Sequence, residues 1–199
     1  MRAEKTGTLI RQEQIVEAAL NVINRQGMKE LSVGGVARSV GLVPSAIYRH
    51  FKSKDDVLEA IIDLIRDKLQ TNIKAVCKET PDPFERLRRL LMRHVRTIRE
   101  NQAIPRIIFS EDLYSGHPER KAKVYGIIRD YLREVGEIIR QGQRIGQMRS
   151  DLDLETMTLL FLGMIQPAGF LWFLSDAKFD ITKHVGKAWD IFSEVVRAK

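Results

Sequence analysis

Residues 43–56 read VPSAIYRHFKSKDD, and this stretch decides the fold. Pro44 suits the first position of a helix, because its missing N–H would have no helical partner there. That helix runs only to about Arg49 or His50. Ile47 and Phe51 are four apart and, with Leu42, face inward, which leaves Val43, Ser45, Ala46, Tyr48 and Arg49 toward solvent. Ser53 then opens a new helix as the N-cap of a capping box closed by Asp56, with both aspartates favoured by the helix dipole.

Working toward the N-terminus, Ile15, Ala18, Ala19, Val22 and Ile23 recur at helical steps, and Gly27 supplies a left-handed residue after them. Ser32 caps a second short helix carrying Val36, Ala37 and Val40, which stops at Gly41. Helices this short do not persist alone, so packing must hold them. A short helix, a glycine turn and a second short helix, supported by a longer helix in front, is helix-turn-helix geometry.

Charge agrees with that geometry. Residues 1–54 hold nine lysines and arginines against four acids, whereas the remaining chain holds 24 bases and 22 acids. A basic head on a nearly neutral body predicts a polyanionic partner for the head, and double-stranded DNA fits a helix-turn-helix. Tyr48, His50 and Lys52 then serve as phosphate donors, joined by Lys54 beside the start of the fourth helix. Arg49 meets phosphate or guanine, Ser45 and Ala46 meet base edges, and Ser32, Val43 and Pro44 complete the candidate surface. The competing reading packs Tyr48 on a neighbour and leaves the bases merely solvated.

Residues 15–61 also resemble the N-terminal domain of TetR-family transcriptional regulators. The resemblance rests on Ala18-Ala19, Gly27, Leu31-Ser32-Val33, Val36-Ala37, Gly41-Leu42, Ile47-Tyr48-Arg49-His50-Phe51, Ser53-Lys54 and Leu58. It covers about a quarter of the chain. Two positions depart from the family pattern. Val43 stands where a serine cap is common, weakening the cap by ~1 kcal/mol. Gly34-Gly35 occupies the first turn of the second helix, at a cost on the order of 1 kcal/mol per glycine.

Beyond residue 53 the periodicity stays helical, with helices expected over 83–100, 102–112, 118–143, 153–175 and 180–197. The fold expected is all-α with about nine helices. Residues 1–52 form the helix-turn-helix domain, joined by a long helix to a helical effector-binding and dimerisation domain over 53–199. The resemblance implies a homodimer built on the last long helices and a small-molecule effector. Helices 118–143 and 153–175 are the expected interface pair, with Leu159, Leu160, Leu162, Gly163, Ala168, Gly169 and Leu171 at the contact. The alternative is a monomer burying those residues internally. Candidate effector residues are His94, Ile98, Phe109, Tyr114, Tyr125, Met164, Gln166, Phe170 and Phe173, and their apolar bias implies an apolar or aromatic ligand. Such residues at helical spacing are otherwise ordinary core. Arg86, Arg89, Arg93 and Arg96 form a stripe expected to be a solvated face.

Other classes are disfavoured. Cys77 is alone, and four histidines without further thiols give no metal pattern; no cofactor is expected. No nucleophile elbow, phosphate loop or paired carboxylates appear, so no catalytic residue is assigned. The N-terminus MRAEKTGTLIRQEQ lacks the apolar core of a signal peptide, so a reducing cytoplasm is expected. LLFLGMIQPAGFLWFL, residues 159–174, is apolar but interrupted by Gln166-Pro167 and flanked by acids; it reads as a buried helix, with no membrane partner. The expected function is a homodimeric repressor released from a palindromic operator by a small hydrophobic effector. The alternative is a helical ligand-binding or interaction protein with weak or lost DNA recognition, favoured by Val43 and the glycine pair.

Overall fold

The structure is a computed structural model that describes residues 2–198. The side chains of Arg2, Glu4 and Lys5, counted above in the head's charge, lie outside the described set. Among the described residues the chain is helical, in the order α1 (Arg2–Gln26), a 3-10 turn (Met28–Glu30), α2 (Val33–Ser39), α3 (Pro44–Tyr48) and α4 (Lys54–Glu79). Then follow α5 (Pro83–Glu100), α6 (Ala103–Ile108), α7 (Glu111–Tyr114) and α8 (Pro118–Arg144). The chain closes with α9 (Leu154–Gly163), α10 (Gln166–Leu174) and α11 (Ile181–Val196). Two compact units result: Met1–Ile65 with Asn101–Lys121, and Arg66–Glu100 with Ala122–Lys199.

In the first unit the inward residues of α1 to α3 close one small core. Ile15, Ala19, Ile23, Val36, Ala37, Ile47 and Phe51 are buried. Burying a side chain such as Ile47 is worth roughly 1.5–3 kcal/mol, more than a five-residue helix can supply from its own hydrogen bonds. Gly27 (φ 91°) and Gly41 (φ 66°) end α1 and α2 in backbone conformations that favour glycine. After Gly41, the Leu42 amide donates back to the Ala37 carbonyl at 3.0 Å, closing the end of α2. The capping box is present with a shift. Asp56 N–H donates to Ser53 Oγ at 3.1 Å, but the Asp56 carboxylate accepts from the Lys52 amide, one residue before the cap, at 2.7 Å. Arg120, on the first turn of α8, is buried in the same unit and ties Asp55 and Glu59 of α4 to the Leu113 carbonyl.

In the second unit, α5 is strongly amphipathic and buries Leu87, Leu90, Leu91, Val95 and Ile98 against α8 to α11. Phe84 meets Trp189 edge-on at 6.4 Å and carries the Arg197 guanidinium 4.6 Å above its ring. The basic stripe of α5 is largely engaged. Arg86 donates to the Thr80 carbonyl and to Gln141, Arg89 to Glu85, and Arg93 to Glu79.

Two helices expected as single pieces are divided. Residues 102–112 form α6 and α7, separated at Phe109–Ser110, where Ser110 turns extended. Residues 153–175 form α9 and α10, separated at Met164–Ile165 before Pro167. By length and composition Leu154–Leu174 would pass as a membrane span (mean hydropathy 1.7), yet 44% of that window is buried inside the protein. Phe161, Ile165, Ala168 and Trp172 carry that burial into the core of the unit.

Candidate nucleic-acid interface

The expected DNA-binding residues gather on one short rod and its rims. With Ile47 wholly buried and Phe51 nearly so, α3 is held by one side, and its opposite side stays open. Val43 is 65% exposed and Tyr48 52%. Pro44, Ser45, Arg49 and Lys52 are exposed, while Ala46 and His50 are half-buried. The reading that packs Tyr48 against a neighbour is not what the structure shows. The Arg49 side chain makes no ion pair or hydrogen bond among the described residues, while its backbone N–H donates to the Ile47 carbonyl.

Caps set the ends of this surface. Ser32 Oγ accepts from the Gly35 amide at 3.0 Å and so starts α2. Val43 begins α3 with extended backbone and no side-chain cap; its carbonyl accepts from the Ala46 amide at 3.0 Å. Pro44 sets the first helical φ in place of a side-chain cap. Lys54 is partly committed, since its ammonium donates to the Met28 carbonyl at 3.0 Å. Two of its three protons stay available, so Lys54 both anchors the 3-10 turn and keeps charge at the rim.

The candidate effector residues do not gather in one place. Phe109 and Tyr114 belong to the first unit, where Phe109 is 48% exposed and Tyr114 Oη donates to the Ile108 carbonyl at 2.9 Å. In the second unit Tyr125 is 63% exposed beneath the Arg129 guanidinium. Phe170 and Phe173 stand 6.5 Å apart on α10, with Gln166 and Met164 half-buried nearby. Ile98 is buried, and a Cβ added at Gly169 would lie 3.3 Å from its Cδ1. His94 Nδ1 lies 3.2 Å from the Tyr131 hydroxyl; burial lowers the histidine pKa to about 4 and raises that of the phenol. Sequence reasoning missed Tyr131. It lines a cavity of about 230 Å³ between α4 and α8 with Leu69, Ile73 and Ile127, and its place at a buried step of α8 was the available signal.

The interface candidates divide too. Leu159, Leu160, Gly163 and Leu171 are exposed and Leu162 is half-buried, but Ala168 and Gly169 are buried within the second unit. Their small size serves the approach of α10 to α5 rather than a surface. The outward face of α8 carries charged pairs such as Arg133 with Asp130, whereas α11 exposes Ile191 and Val195.

A short helix with an open, donor-bearing face, set after a glycine turn on two supporting helices, defines a helix-turn-helix DNA-binding regulator. Residues 15–61 match the family described as bacterial regulatory proteins, tetR family, and residues 51–194 match YsiA-like protein, C-terminal region. The chain belongs to the TetR family of bacterial regulatory proteins. A fatty acid metabolism regulator protein of Bacillus subtilis (strain 168) is 26% identical over 171 residues, covering 84% of this chain and 86% of that protein. The nucleoid occlusion factor SlmA of Vibrio vulnificus (strain YJ016) is 21% identical over 188 residues, covering 94% and 96%. The crystal structure of the regulator FadR from Bacillus subtilis in complex with stearoyl-CoA superposes with a TM-score of 0.76 at 23% identity, covering 93% of this chain and 99% of that one.

Proposed function

We propose that the protein is a homodimeric transcriptional repressor whose α3 enters the major groove of a palindromic operator and which a small apolar effector releases. The observation that carries this reading is the outer side of α3, where Tyr48 and Arg49 stand exposed beside Lys52. Residues 1–52 carry DNA binding, and residues 53–199 carry effector binding and dimerisation. In a symmetric dimer two copies of α3 would face half-sites about 34–36 Å apart, or a multiple of that.

Exposed apolar side chains support the dimer. Leu159, Leu160 and Gly163 of α9 share a shallow surface with His184 and Ala188 of α11, and Ile191 and Val195 continue it along the same side of α11. An apolar face of this kind marks an interaction site. It favours α11 over α8 as the partner of α9 in the interface.

For the effector, the Bacillus subtilis relative is named for fatty acid metabolism, and the FadR structure holds stearoyl-CoA. These names support a ligand with a long apolar chain and an anionic head. The cavity between α4 and α8 offers an apolar floor in Leu69, Ile73 and Ile127, with Arg66 and Lys74 at its rim beside Arg133, which is paired with Asp130 and Glu134. Its volume suits one segment of such a chain rather than a whole drug-sized ligand. Release requires that the effector bind the DNA-free arrangement more tightly than the DNA-bound one.

The test is selection of bound duplexes from a random library by the full-length protein, followed by titration with stearoyl-CoA. Inverted repeats that stearoyl-CoA displaces, with coenzyme A alone inert, are expected. Selected sequences without twofold symmetry, or complexes indifferent to the ligand, would count against the repressor–effector reading.

A further inference from the structure

Two faces of α11 are apolar, and only one of them is used inside the chain. Ile181, Val185, Trp189, Phe192 and Val196 are buried in the core of the second unit. On the other side Ala188, Ile191 and Val195 recur at steps of three and four, with Ile191 and Val195 exposed. Alternating steps of this kind form the seam along which one helix packs on another. One step of four back from Ala188, the seam reaches a titratable residue, His184.

His184 is exposed and lines the same shallow surface as Leu159, Leu160, Gly163 and Met164, where no second ionisable side chain stands among the described residues. The Phe179 ring lies 5.4 Å from its imidazole. On α11 itself Asp180 and Lys187 are within about one turn, and the Asp180 carboxylate is committed to the Lys183 amide at 2.9 Å. Of the neighbouring elements, α10 has no charged residue, α9 holds Glu155 in its first turn, outside the lining, and α5 sends Arg99 to Thr182 Oγ1 at 3.3 Å. The His184 side chain makes no ion pair or hydrogen bond among the described residues. No carboxylate is therefore paired with the ring to hold a proton there.

We propose that His184 makes dimerisation sensitive to pH: a second copy of this chain covers the seam, and protonation of His184 loosens it. The proposal rests on the reading of the α9–α11 face as the dimer interface. Lys187 and Glu194 favour a second copy as the occupant. They are exposed, unpaired among the described residues and one heptad apart on the same rim of the seam. Two copies of α11 crossing head to tail set each lysine beside a glutamate. In such a twofold contact both His184 rings lose water against apolar side chains. A neutral imidazole tolerates that, whereas an unpaired imidazolium is costly to desolvate. The dimer thus binds fewer protons than two monomers. Its stability is full at high pH and falls as pH drops through the range, about 5 to 8, in which histidine gains its charge.

The experiment is sedimentation velocity of the full-length protein over a concentration series at about pH 7.5 and about pH 5.5, with the helical spectrum checked at each. The wild-type dimer should weaken by at least about tenfold at the lower pH, since two imidazoles charge per dimer. His184→Gln, neutral at both values, should dimerise with one constant throughout. His184→Leu, which completes the apolar seam, should hold the dimer at least as tightly in acid as near neutrality. A wild-type constant equal at both pH values, or a His184→Gln dimer that still loosens in acid, overturns the role of His184 and leaves the dimer standing. A wild-type protein monomeric at both pH values sinks the dimer reading and this inference together.

Discussion

Arg120 Nη2 lies 2.9 Å from Asp55 Oδ1, although 65 residues separate the two in sequence. The same guanidinium reaches Glu59 at 3.2 Å and the Leu113 carbonyl at 3.1 Å, so it joins the α4 start to α7 and the first turn of α8. Arg120 is 2% exposed, whereas Asp55 and Glu59 keep part of their hydration.

Replacing Arg120 by alanine takes the guanidinium from the buried Leu113 carbonyl and from Asp55 and Glu59. The expected loss is about 3 kcal/mol, the low end for breaking a buried pair, because the acids retain solvent. A urea midpoint that falls with an unchanged slope is the readout. A midpoint equal to that of the wild type would show that the pair holds nothing.

In the same unit, α3 begins without a side-chain cap. Val43→Ser adds an acceptor at that position and should raise stability by about 1 kcal/mol in thermal unfolding. The gain should vanish in Val43→Ala, which removes the same apolar surface without adding an acceptor.

His94 is held neutral by burial, with its pKa lowered from 6.5 to about 4. Between those values the unfolded chain binds a proton that the folded chain refuses, so stability falls as pH drops through this window. His94→Gln should flatten that part of the stability–pH curve. A slope unchanged by the substitution would remove His94 as its source.

The apolar face shared by α9 and α11 gives a separate expectation. Leu160→Glu should convert the proposed dimer to a monomer in sedimentation velocity while leaving the helical spectrum intact. A dimer that persists would move the interface elsewhere.

Much of the head was legible because its determinants are local. Ser32, Gly41, Pro44 and Ser53 act within four residues of themselves, and each stands where the residues placed it. The i to i+4 step of Ile47 and Phe51 likewise decided which side of α3 is buried. Arg120 was not legible, because an arginine in a charged helix start shows no sign of partners 61 and 65 residues away. Ala168 and Gly169 misled for a related reason: small size reports close approach, but not whether the approaching helix belongs to the same chain. The break at Met164–Ile165 lies inside a long apolar run, just before Gln166-Pro167, the local signal of interruption.

The proposed function stands on the exposed side of α3 binding duplex DNA. The direct measurement is fluorescence anisotropy of a selected duplex with the wild-type protein and with the Tyr48→Phe, Arg49→Ala double variant, each checked for unchanged melting temperature. A loss of at least about tenfold is expected for the variant, with steep salt dependence for the wild type. A double variant that binds the same duplex as tightly as the wild type would contradict it.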